Sequence, residues 1–137
     1  MSEERSQEIN AFARKLAEGW NSKDWAIVRS IHGDEFIDHT APPGVDGLTN
    51  LRGTFDLFTA AFPDFKITIE DVLHDDKKAV WRWVLTGTHD GDFMGIPATG
   101  NNVTLRAMTT ARINKGKCRE AWSVADMLGL MGQLGVT

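Results

Sequence analysis

The sequence predicts an α+β fold in which helices pack on one face of an antiparallel sheet. Three observations carry this expectation. Apolar residues recur at helical spacing as far as Phe62, the period changes to two from Phe65 onward, and no strand–helix–strand alternation appears anywhere. The 137 residues suit one domain, spanning 1–137, and no linker, internal repeat or low-complexity tract divides them.

Residues 4–21 place Ile9, Phe12, Leu16 and Trp20 on one stripe and predict a first helix. Ser22 is the expected N-cap of a second, over 23–31, with Trp25, Val28 and Ile31 inward. Gly33-Asp34 stops it. Residues 35–39 then form a short strand before Ala41-Pro42-Pro43-Gly44, whose prolines exclude regular pairing. A third helix fits 47–62, with Leu51, Phe55, Phe58 and Phe62 on one side, and Pro63 ends it.

Phe65, Ile67 and Ile69 alternate with polar residues and start the sheet. The turn His74-Asp75-Asp76-Lys77 leads into a long strand over 79–89, and 91–100 is a loop. Residues 103–113, the turn Asn114-Lys115-Gly116-Lys117 and residues 118–126 form a hairpin, followed by an apolar tail over 127–134.

Fifteen basic against nineteen acidic side chains give a net charge of −4 with no basic patch, which argues against nucleic acid and anionic membrane as partners. The polar, acidic N-terminus lacks the apolar segment of a signal peptide, and no apolar run is long enough to span a bilayer. Cys118 is the only cysteine, so no internal disulfide forms; a cytoplasmic location and a buried or half-buried structural thiol are expected.

Motifs for phosphate loops, dinucleotide binding, paired metal-binding histidines and nucleophile elbows are absent. The four histidines lie far apart in sequence, so no metal is expected. The last two strands carry the most informative pattern. Val103, Leu105, Ala107, Thr109 and Ala111 share a face, as do Ala121, Ser123 and Ala125. Small side chains there leave room for a ligand, with Trp20, Phe55, Phe58 and Phe62 as either its walls or plain core.

Three charged positions have two readings each. Arg82 is solvated, paired with Glu120 or Asp126, or at a subunit contact; the other choice is an anion-binding role. Asp38-His39 is either part of an acid/base site or a polar pair closing a strand. Asp126 is a cavity carboxylate or a cap for the terminal segment.

Asp38-His39 with Pro42-Pro43-Gly44, Ala61-Phe62-Pro63-Asp64, Gly87-Thr88-His89-Asp90-Gly91 and residues 93–100 resemble, in their order and spacing, the SnoaL-like polyketide cyclase family of the nuclear transport factor two-like superfamily. Arg112-Ile113, Gly116-Lys117 and Gln133-Leu134-Gly135 continue the likeness. The resemblance implies a cone-shaped roll: a curved antiparallel sheet, three N-terminal helices on its concave face, and an open end that admits a hydrophobic ligand. It also implies homodimers or homotetramers through the sheet. Characterised members close a ring by an aldol reaction without metal or cofactor, using a histidine and an aspartate on the last two strands. Carried across the shared landmarks, those places fall on Thr109 and Ser123, and neither is an efficient general base near neutral pH without a partner.

Three functions follow as expectations. The first is a cofactor-independent cyclase, isomerase or hydrolase acting on a polyketide-like or terpenoid-like substrate, with His39, His89 and Asp126 as candidate catalysts. The second is a binding or carrier module using the same pocket for a small hydrophobic, polycyclic molecule. The third is an assembly domain with Trp81, Trp83, Trp122 and Met108 at a subunit interface.

Overall fold

A computed structural model describes residues 2–136; Met1 and Thr137, the ends of the expected domain, lie outside the described residues. Helix α1 (Glu3–Asn21) opens on Ser2, whose hydroxyl accepts the Arg5 N–H. Glu3 and Glu4 favour the same end through the helix dipole. Its buried stripe holds Ile9, Phe12 and Trp20. Arg5 fastens the start of the helix to two distant turns, donating to the carbonyls of Asp75 at 3.1 Å and Ile113 at 2.8 Å.

The second helix is shorter than the spacing predicts. α2 (Trp25–Ser30) is capped by Asp24, not by Ser22. Lys23 has φ 55, a backbone reversal that interrupts the helix, so Ser22 instead closes α1 by donating to the Glu18 carbonyl at 2.7 Å. β1 (His32–Asp38) follows, starting earlier than expected because His32 pairs with the last strand. α3 (Gly47–Ala61) is capped by Asp46. A Cβ on Gly47 would lie 2.2 Å from the Phe36 carbonyl oxygen, so only glycine lets α3 start this close to β1.

The remaining elements are β2 (Lys66–His74), β3 (Lys78–Thr88), β4 (Asn102–Asn114), β5 (Lys117–Ala125) and α4 (Met127–Gln133). The strand order is β1-β5-β4-β3-β2. β2 to β5 pair antiparallel through their hairpins, but β1 runs parallel to β5, so the expected all-antiparallel sheet is a mixed one. The cause is connectivity: β1 is flanked in sequence by helices, so no hairpin turn dictates its direction.

Register shifts occur in three of the four strand pairings, and those of β2 and β5 set which of their side chains face inward. At Glu70 the register of β2 against β3 shifts, which leaves Glu70 and Asp71 both beside Arg82 on the outer face. Arg82 therefore pairs with Asp71 at 2.9 Å and Glu70 at 3.4 Å, not with Glu120 or Asp126. At Arg119 a shift between β4 and β5 turns both Cys118 and Ala121 inward.

The core has two parts. Trp20, Phe55, Phe58, Phe62 and Phe93 pack around α3, while Ile9, Phe12, Phe36, Trp81 and Ile113 pack around α1 and β1. Among the described residues no helix is long and apolar enough to cross a membrane.

Candidate functional site

Along β4, Val103, Leu105, Ala107, Thr109 and Ala111 are buried, while Arg106 and Met108 are exposed. Leu105 and Thr109 of this row, with Ala121, Ser123 and Ala125 of β5, border a cavity of about 350 Å³ that takes its walls from both parts of the core. Its lining is mostly apolar. The polar exceptions include His32, Asp38, Thr40, Thr109 and Ser123.

Of the four aromatic wall candidates, Trp20 and Phe58 line the cavity. Phe55 and Phe62 stand behind that wall. Phe55 packs between Trp20, at 5.2 Å between ring centroids, and Trp25, at 5.5 Å. Phe62 is fully buried against Phe58, Phe93 and His89. Trp81 and Trp83 also face the cavity, which removes them from an outer subunit contact. Their orientation follows from Arg82, whose outward pairing sends both neighbours inward.

The three candidate catalysts lie elsewhere. His39 is on the outer face, stacked on Trp122 at 4.5 Å with its Nε2 2.7 Å from Glu120. Asp126 is exposed and caps α4, accepting the Gly129 N–H at 2.8 Å. His89 is fully buried beside Phe62, outside the cavity lining. Its Nδ1 accepts the Thr99 N–H at 3.2 Å, which pins the loop after β3.

Asp38 and His32 are the titratable oxygen and nitrogen groups on the cavity. Asp38 and His39 point to opposite faces because they are consecutive on an extended chain. The Asp38 carboxylate is oriented by the Thr40 N–H at 2.9 Å, the Thr40 hydroxyl and the Asn50 side-chain amide at 2.9 Å. His32 was visible in sequence only as one scattered histidine, since nothing local announces that β1 begins with it.

The His32 Nδ1 donates to the Val28 carbonyl at 2.7 Å, an acceptor that fixes the proton on that nitrogen. Burial pushes its pKa down from 6.5 to about 4, against the partial support of the Val28 carbonyl for the charged form. The ring is therefore neutral near pH 7, with the Nε2 lone pair unused. The unfolded chain binds this proton below pH 6.5 and the folded chain only below about 4, so stability falls as pH drops through that window. We expect a slope of about 1.4 kcal/mol per pH unit there from this group. Urea unfolding of the wild type and His32→Gln at stepped pH checks it: a slope unchanged in the variant would refute the assignment.

Cys118 lines the cavity too, but burial pushes its pKa up to about 12, so it is no thiolate nucleophile near neutral pH. On the same sheet face, the Trp83 Nε1 donates to the Thr109 hydroxyl at 3.1 Å, and Thr109 and Ser123 share a hydrogen bond of 2.9 Å. Thr109 and Ser123 are direct cross-strand partners. Among the described residues, no group of three His, Cys, Asp or Glu side chains converges to hold a metal. A carboxylate, a neutral imidazole and hydroxyl donors around an apolar space are suited to proton transfer at a carbonyl compound.

Comparison with known proteins agrees with this architecture. The chain is 28% identical over 131 residues to the aklanonic acid methyl ester cyclase DnrD of Streptomyces peucetius, covering 89% of this chain and 87% of that one. TsrD of Streptomyces laurentii superposes with a TM-score of 0.87 at 23% identity, covering 96% of this chain and 97% of that one. IdmH of Streptomyces antibioticus gives a TM-score of 0.80 at 27% identity, with 93% and 98% covered. The SnoaL-like polyketide cyclase model matches residues 10–134, and the chain belongs to that family.

Proposed function

We propose that the protein binds a small, largely apolar, polyketide-like molecule in the cavity and transfers a proton on it without a cofactor, as a polyketide cyclase-like enzyme. The observation that carries this reading is Asp38, the one carboxylate among the described residues on the apolar cavity that the Thr109–Ser123 hydroxyls also line. Asp38 pairs with Ala121, two positions before Ser123 on the adjacent strand. A base and a hydrogen-bond donor on one face are the two groups that enolisation of a ketone requires. The base supplies on β1 what Thr109 and Ser123 do not supply on β4 and β5. DnrD, described as a methyl ester cyclase, supports the substrate class.

Binding is read by quenching of Trp20, Trp81 and Trp83, which line the cavity, on titration with fluorenone. Ala121→Phe fills the space from its floor. Because the added ring enters a void, stability should change by less than about 1.5 kcal/mol while quenching disappears. Quenching that persists in Ala121→Phe would place the probe elsewhere and end this reading.

A homodimer is the proposed assembly. On the outer sheet face Met108 and Val124 are cross-strand partners, 44% and 71% exposed, and Ile37 is 50% exposed on β1. Mixed charges beside them, Arg82 with Asp71 and Arg112 with Glu120, suit a self-complementary contact. Light scattering at micromolar concentration should give twice the chain mass, and Val124→Glu should halve it. A wild-type monomer would dispose of the dimer.

A further inference from the structure

The hydrogen-bond chain on the cavity floor leaves one donor over. Indole nitrogen only donates, so Trp83 uses its proton on Thr109. The Thr109–Ser123 bond consumes one of the two hydroxyl protons, whichever oxygen donates. One hydroxyl proton remains in either arrangement. Among the described residues neither hydroxyl has another side-chain partner, and both residues line the cavity. Among the described residues no lysine or arginine lines it, whereas Asp38 does.

We infer that Trp83, Thr109 and Ser123 form a subsite for the carbonyl oxygen of an uncharged ketone, quinone or lactone. This assignment rests on the ligand-binding reading above. A hydroxyl donor strengthened by the indole behind it suits a neutral acceptor oxygen. A carboxylate would find no cation there and would meet the charge of Asp38, so the subsite discriminates against free acids. The free proton is shared between two oxygens, because reversing the Thr109–Ser123 bond moves the donor from one residue to the other. Loss of either hydroxyl alone therefore leaves one donor in place.

The test uses fluorenone, fluorene (the same rings without the oxygen) and fluorenone carboxylate, each titrated by tryptophan quenching. The wild type should prefer fluorenone over fluorene, and over the carboxylate by about tenfold or more. In the Thr109→Val/Ser123→Ala double variant, built on Trp83→Phe so that no released indole N–H can donate in their place, the fluorenone-to-fluorene preference should fall about tenfold, the size of one well-made hydrogen bond. Ser123→Ala alone should lower it by less than about threefold. Fluorene affinity reports whether the double variant keeps its fold and cavity. Bound to the wild type, fluorenone should show its carbonyl stretch at lower wavenumber than in hydrocarbon solvent. A band at the hydrocarbon position overturns the subsite without any variant, as does a preference unchanged in the double variant or carboxylate binding equal to that of fluorenone. If none of the three probes quenches the wild type, the cavity reading itself fails first.

Discussion

Asp38→Asn is expected to reduce catalysed proton exchange by about a hundredfold to ten-thousandfold while leaving ligand affinity within tenfold. The substitution keeps the shape of the side chain and an oxygen that can still accept from Thr40, while the Asn50 amide, which donates to the other carboxylate oxygen, can turn its own oxygen to the new NH2, so the loop after β1 should hold its course. What disappears is the capacity to take up a proton. β-Tetralone in deuterated buffer supplies the readout, because its acidic α-protons vanish from the NMR spectrum as an enolate forms and is requenched. A protein that binds β-tetralone but does not accelerate exchange would be a carrier, whereas exchange that survives in Asp38→Asn would overturn Asp38 as the base. His32→Gln offers a comparison from the same cavity. If the neutral imidazole were the base, that variant would lose exchange and Asp38→Asn would keep it.

The separation of Asp38 from His39 shows how much of the site could be read in advance. The β4–β5 hairpin was legible because its turn is stiff: Lys115 and Gly116 both have positive φ, 53 and 73, which matches a two-residue turn and sets Asn114 against Lys117 and Ile113 against Cys118. Beyond the bulge at Arg119 the register is shifted by one residue, which sets Thr109 against Ser123, while alternation within each strand keeps Leu105 and Thr109, and Ala121 and Ser123, on one face. β1 carried no such anchor. It pairs in parallel, its contacts come from sequence-distant β5, and a one-residue difference in phase exchanges which of Asp38 and His39 meets the cavity. The pair is legible in sequence as polar chemistry, but the face of each member is a tertiary fact.

The bulges were equally silent. Nothing in Ile69-Glu70-Asp71 announces that two acidic residues share the outer side of β2, yet that shift explains the partners of Arg82. In α3 the helical period was correct but its phase was too broad. Leu51, Thr54 and Phe58, at steps of three and four, form the line that meets the cavity. Phe55 and Phe62 lie off that line, where they meet Trp25 and Phe93. An amphipathic stripe identifies the buried half of a helix; which part of it meets empty space depends on what the neighbouring elements leave unfilled.

That distinction makes Phe62→Ala informative, with an expected loss of about 3–5 kcal/mol in stability. Phe62 is fully buried at the C-terminal end of α3, with ring centroids 5.3 Å from Phe93, 5.7 Å from His89 and 6.2 Å from Phe58. Gly87 of β3 packs against it so closely that a Cβ there would lie 3.2 Å from the Phe62 Cβ. The strand backbone thus rests on the side chain, and the void left by alanine cannot collapse without moving the sheet. Against a total stability of about 5–15 kcal/mol, the loss should bring the urea midpoint down steeply with the slope unchanged. Fluorenone should still quench the folded fraction with near wild-type affinity, since the ring stands behind Phe58 and not on the cavity. A variant that stays stable but no longer binds would reverse that assignment and make Phe62 a ligand contact.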